Sequence, residues 1–112
     1  MSPDHEELLR KLALSDEGAA ASVLGALGTS APSGLDPKTH ALVRVAALVA
    51  VESALTSYQW AIDAALAVGA SEDDVVDVLT AVAPIVGLAR LSSATPEVAL
   101  ALGYDLDPPV PI

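Results

Sequence analysis

Glu52 has the strongest claim to chemistry in this 112-residue chain. It closes a run, Val45 to Val51, in which every residue is apolar, and a carboxyl partly withdrawn from water has a raised pKa suited to proton transfer. The plainer alternative is that Glu52 merely opens a polar stripe, since Glu52, Thr56, Gln59 and Asp63 recur at helical spacing. Tyr58 and Trp60 belong to a small aromatic set of one Trp, two Tyr and no Phe. They line a pocket or a subunit contact, and interface burial is the commoner fate of such residues. His40 and Arg44 form an i, i+4 pair able to hold an anion, although such pairs more often form a solvated helix edge. The weak candidates for acid/base work are thus Glu52, His40 and Tyr58.

A metal site is not expected. His5 and His40 are far apart, there is no cysteine, and neither histidine has a partner at ligand spacing. Glu72, Asp73, Asp74 and Asp77 form an acidic cluster, yet it lacks the glycine and alternating ligands of a calcium loop. The first turn of a helix, whose dipole favours acidic residues, accounts for it. No cofactor is implied.

These residues have to be positioned by helices, because no stretch reads as a strand and no repeat is present. Ser2 and Pro3 open a first helix through Leu14, with Leu8, Leu9 and Leu12 as its apolar stripe. Ser15 reads as the next cap, and an Ala-rich helix from Asp16 to Leu27 stops at Gly28. Gly28 to Gly34 is a loop, which separates an N-terminal helical arm (1–34) from the main body (35–112). Asp36 and Pro37 start the central helix, and the apolar run Val45 to Val51 makes it interior on all sides. A second helix carries Ala54, Ser57, Tyr58, Ala61, Ala65 and Val68 on its inner face and ends at Gly69; the two form a hairpin, or one helix bent near Glu52 and Ser53. Ser71 and Asp74 have capping-box spacing. A kink or a new helix is expected at Pro84, and Thr95 with Pro96 marks the start of a last short helix ending at Gly103. The tail DLDPPVPI reads as extended.

Composition narrows the function classes. Hydrophobic residues make up 53% of the chain and aromatics 3%, so the core is built from Ala, Leu and Val, and helices can approach closely. So much apolar surface on a short chain points to burial between subunits. The net charge of −10, with five scattered basic residues, argues against nucleic acid, because phosphate binding needs clustered Lys and Arg. The acidic N-terminus lacks the apolar segment of a signal peptide, and no apolar stretch is long enough to span a bilayer. A cytoplasmic protein without membrane association is the expectation.

The order of features, an LDPKT helix start, a long apolar helix, a second helix ending ALAVGAS and then the acidic EDDVVDVL helix, resembles the carboxymuconolactone decarboxylase-like family, which includes the alkylhydroperoxidase D-like proteins. The resemblance covers about Leu35 to Gly103. It implies an all-α, alkylhydroperoxidase D-like fold around a helical hairpin, assembled as trimers or hexamers. In the peroxidase branch the second hairpin helix carries two cysteines and a histidine; anchored on Gly69, they fall on Ala54, Ser57 and Ala61, and none is kept. The decarboxylase branch is expected to keep the histidine, so Ala61 counts against that reaction too. The family's upstream glutamate falls near Ala41 or Leu42 and is also missing.

Neither Ala nor Ser can form the thiolate that attacks a peroxide, and no histidine is placed to activate Ser57. The resemblance therefore implies a vestigial pocket lined by Ala54, Ser57, Tyr58, Ala61 and Trp60, in a binding or structural homo-oligomer that could take a small-molecule ligand. The competing reading is an enzyme with altered acid/base chemistry on a small acid or lactone, using Glu52, His40 or Tyr58. Whether the chain is an enzyme stays open at this level.

Overall fold

The computed structural model describes residues 1–25 and 33–104. They form six α-helices: α1 (Pro3–Ala13), α2 (Glu17–Leu24), α3 (Pro37–Ala50), α4 (Leu55–Ala67), α5 (Glu72–Val86) and α6 (Leu88–Ala101). No strand occurs among the described residues.

Four of the six starts are written in side-chain oxygens. Ser2, Asp16, Asp36 and Ser71 each accept a hydrogen bond from a first-turn amide that has no partner inside its helix. Asp36 accepts from the Thr39 amide at 3.2 Å, and Pro37 occupies the first helical position, where a missing N–H costs nothing. Ser71 and Asp74 form a reciprocal capping box: the Asp74 amide donates to Ser71 Oγ at 3.0 Å and the Ser71 amide donates to Asp74 Oδ2 at 2.9 Å. Lys38 Nζ reaches Asp74 Oδ2 at 3.0 Å, tying the first turn of α3 to that of α5. The Ser71 backbone and then Lys38 hold the Asp74 carboxyl below the usual carboxylate range.

Four ends share one geometry, the Schellman motif, in which a residue in the left-handed region lets two successive amides fold back onto the last turn. Ser15, Glu52, Gly69 and Gly103 hold that position, with φ of 58°, 54°, 101° and 84°. The closing bonds are Asp16 N to Lys11 O at 2.9 Å, Ser53 N to Leu48 O at 3.2 Å, Ala70 N to Ala65 O at 3.0 Å and Tyr104 N to Ala99 O at 2.9 Å. Gly69 and Gly103 adopt it freely, whereas Ser15 and Glu52 carry a Cβ against it.

The chain divides into two compact units, Met1–Gly34 and Leu35–Ile112. In the first, α1 and α2 touch each other and neither contains a buried residue. In the second, α3 packs on α4 and α5, α6 packs on α4 and α5, and a core lies between them. Tyr58, Ile62, Val45, Val49, Val75 and Val98 are its largest fully buried side chains, each stabilising the fold by roughly 1.5–3 kcal/mol. Small residues fill the remainder: Ala61 and Ala94 join them, and Ala41, Ala65 and Ala70 make a second cluster.

Several expectations need correction. Ser15 ends α1, and Asp16 is the residue that caps α2. Helix α2 closes at Gly25; Gly28, most of the expected loop and the tail lie outside the described residues. The central helix is not interior on all sides: Val45 and Val49 are buried, but Ala47, Ala50 and Val51 are exposed, because α4, α5 and α6 cover one side only. Glu52 does not lie on α4, which begins at Leu55, so the exposed stripe of that helix is Thr56, Gln59 and Asp63. Pro84 is accommodated within α5, and the break falls at Gly87, whose φ of 84° and ψ of 167° suit glycine alone. Pro96 lies inside α6, where the Thr95 hydroxyl donates to Leu91 O at 2.7 Å instead of capping a new helix.

The strain at Glu52 yields a test. Glu52→Gly removes a Cβ from a left-handed position while keeping both Schellman bonds, and should raise the urea-unfolding free energy by roughly 1 kcal/mol.

Candidate functional site

The turn between α3 and α4 and the start of α4 carry two of the acid/base candidates, Glu52 and Tyr58. Tyr58 lies on the first turns of α4 with its ring fully buried, and its hydroxyl donates to the Leu48 carbonyl at 3.1 Å. That carbonyl also accepts the Ser53 amide. Burial pushes the Tyr58 phenol above its ordinary pKa; the Ser53 backbone pulls the other way, and the Glu97 and Glu52 carboxylates add to the rise. The phenol is therefore a protonated hydrogen-bond donor at neutral pH, already committed to a backbone acceptor.

Glu52 itself is exposed, held in the left-handed turn and not enclosed by apolar neighbours. The environment that would have desolvated its carboxyl is absent at this position. His40 is half-buried on the second turn of α3, where its amide donates to Asp36 O at 2.9 Å. The Arg44 guanidinium sits over the Trp60 ring, 5.9 Å from its centroid, within the range of a cation–π contact. A residue read as an anion ligand and a residue read as pocket lining thus form one contact, linking α3 to α4. Trp60 remains 47% exposed, so this contact covers only part of its ring.

The three positions that the resemblance sets against reactive groups, Ala54, Ser57 and Ala61, differ in burial. Ala54 is the exposed N-cap of α4 and gives no side-chain cap. Ser57 is half-buried one turn on, its amide donating to Ala54 O at 3.0 Å. Ala61 is buried in the core cluster beside Tyr58, Val45 and Ile62. Tyr58 and Ala61 are thus brought together in the core, while Ala54 and Trp60 lie at the surface.

With this helical body in view, comparison with known proteins is informative: the model of the carboxymuconolactone decarboxylase family matches residues 17–99. The chain belongs to that family. The match starts within α2, upstream of the LDPKT motif at which the resemblance in the sequence begins, and runs through most of α6. No curated protein and no solved structure matches the chain. This carboxymuconolactone decarboxylase family member contains one methionine and no cysteine.

Sequence reasoning missed Glu97, which acts on Tyr58 from the neighbouring helix α6, and it treated Arg44 and Trp60 separately. Neither relation has a local signal, since each joins residues on different helices.

The Tyr58 hydroxyl can be tested apart from its ring. Tyr58→Phe leaves the Leu48 carbonyl still bonded to the Ser53 amide, so denaturant unfolding should show a loss of about 0.5–1.5 kcal/mol, the usual net worth of one hydrogen bond. A loss above about 3 kcal/mol would mean the hydroxyl holds more than this turn.

Proposed function

We propose that this carboxymuconolactone decarboxylase family protein works as a cytoplasmic binding or structural homo-oligomer and does not carry out the cysteine peroxidase reaction. The observation that carries the reading is the character of the interior. Among the described residues no polar or charged residue is buried as a whole, the Nε2 atom of the half-buried His40 being closed to solvent, and the buried phenol of Tyr58 is bonded to a backbone carbonyl. Enzymes that move protons hold titratable groups in shielded sites where burial tunes their pKa values, and the α3–α4 region offers an exposed Glu52 instead.

Assembly is the second half of the proposal. The uncovered side of α3 presents Val43 and Val51, α4 presents Trp60 and Val68, and Ile85 and Leu88 at the α5–α6 junction are 85% and 80% exposed. Side chains of this size, left open on a body with a net charge of −10 for the whole chain, suit contacts between copies that exclude water over an apolar centre and keep the charges at the rim. A vestigial pocket of Ala54, Ser57, Tyr58, Ala61 and Trp60 for a small-molecule ligand belongs to the same proposal, with Tyr58 and Ala61 buried and Ser57 half-buried. No described helix is long and apolar enough to cross a membrane.

Two measurements bear on this. Alkyl hydroperoxide consumption with a dithiol donor should stay at the buffer rate, because reduction needs a thiolate to attack the peroxide and a second thiol to resolve the sulfenic acid; turnover above that rate would sink the reading. Light scattering at micromolar concentration should give a multiple of 11.3 kDa, and Val51→Asp should lower that mass. A monodisperse monomer would refute the assembly.

A further inference from the structure

Between α5 and α6 runs an open cleft of about 200 Å³. Its walls are Val76 and Leu79 from α5, Val98 and Ala99 from α6 and Leu102 at the end of α6, with Thr95 as the one hydroxyl, already donated to Leu91 O. At one end stand two carboxylates, Glu72 and Asp73, and the Tyr104 hydroxyl, which donates to Glu72 Oε2 at 3.2 Å. We propose that this cleft binds a compact organic cation, an ammonium group carried on an apolar body.

Three properties fix the chemistry. The walls are aliphatic, so the part of a ligand lying along them must be apolar to gain from leaving water. The volume is below the roughly 300–1,000 Å³ of sites for drug-sized ligands, so that body is small. The mouth is negative: Asp74 is taken by Lys38 at 3.0 Å, whereas among the described residues Glu72 and Asp73, on the first turn of α5, form no ion pair, and Glu72 accepts only the neutral Tyr104 hydroxyl. The Glu72 carboxylate, and more weakly that of Asp73, raises the phenol of the exposed Tyr104 above its ordinary pKa. An organic anion of the same shape would be repelled, and a neutral one would gain from the walls alone. The cleft involves neither the α3–α4 turn nor the positions aligned with the family's reactive groups, so the inference goes beyond the function proposed above.

The test compares three ligands of one shape, phenethylammonium, phenethyl alcohol and hydrocinnamate, by following backbone amide shifts during titration of the whole protein. Shifts should gather at residues 72–79 and 95–104, with the ammonium binding about fivefold tighter than the alcohol, as expected for partly exposed charges, and the carboxylate weakest. Raising the salt should narrow the order, because such charges are screened over about 10 Å at 0.1 M. Glu72→Gln combined with Asp73→Asn should bring the ammonium to the affinity of the alcohol and leave the alcohol unchanged. Ala99→Leu should abolish binding of both by filling the cleft. Equal affinity for ammonium and alcohol in the parent protein, shifts gathered elsewhere, or no binding by any of the three would overturn the proposal. The comparison in the parent protein decides the matter even if a variant fails to fold.

Discussion

The carbonyl oxygen of Leu48 accepts two hydrogen bonds, one from the Ser53 amide that closes helix α3 and one from the Tyr58 hydroxyl on helix α4. The body of the fold depends on that junction. A helix end leaves carbonyls without partners, and satisfying one of them from the next helix fixes where the chain reverses and how deeply the tyrosine sits. Once Tyr58 is placed, Ala61 and Ile62 follow it into the interior with Val45 and Val49 on α3 and Val98 on α6, while Ala65, one turn on, joins Ala41 and Ala70. The same reversal forces Glu52 into the left-handed region, a conformation that glycine would hold at lower cost.

A core without phenylalanine is assembled from many small contacts. Alanines at 41, 61, 65, 70 and 94 are buried where larger residues would hold helices apart, and interiors packed this closely respond to single methylene changes. The arrangement has a consequence at the surface: four helices of mainly small residues cover the core but not the outer side of α3, where a run of apolar residues stays open. That open side connects the composition of the chain to the proposed assembly.

Membership of the carboxymuconolactone decarboxylase family and thiol chemistry rest on different physics. The fold needs caps, small side chains and a helical hairpin, all of which remain. The peroxidase chemistry needs thiolates, and the sequence contains none. Ala61 is sealed into the core beside Tyr58 and Val45, where a larger side chain would have to displace one of them.

What the sequence determined by itself was set by bonds spanning a few residues. The caps at Ser2, Asp36 and Ser71, the stops at Gly69 and Gly103 and the all-α class all follow from side-chain oxygens, prolines and glycines acting on their own turn of chain. Decisions that depend on distant neighbours were left to the tertiary structure. Ser15 and Glu52 stop helices without glycine, because closing the turn outweighs a local strain that no short-range pattern reveals. Helices α5 and α6 continue through Pro84 and Pro96, since packing on α3 and α4 offsets one missing hydrogen bond in each. Arg44 meets Trp60, Glu97 acts on Tyr58 and Tyr104 reaches Glu72 across 16, 39 and 32 residues of chain. Such pairs exist only after the helices have packed, because the geometry that joins them is a property of the core and not of either segment.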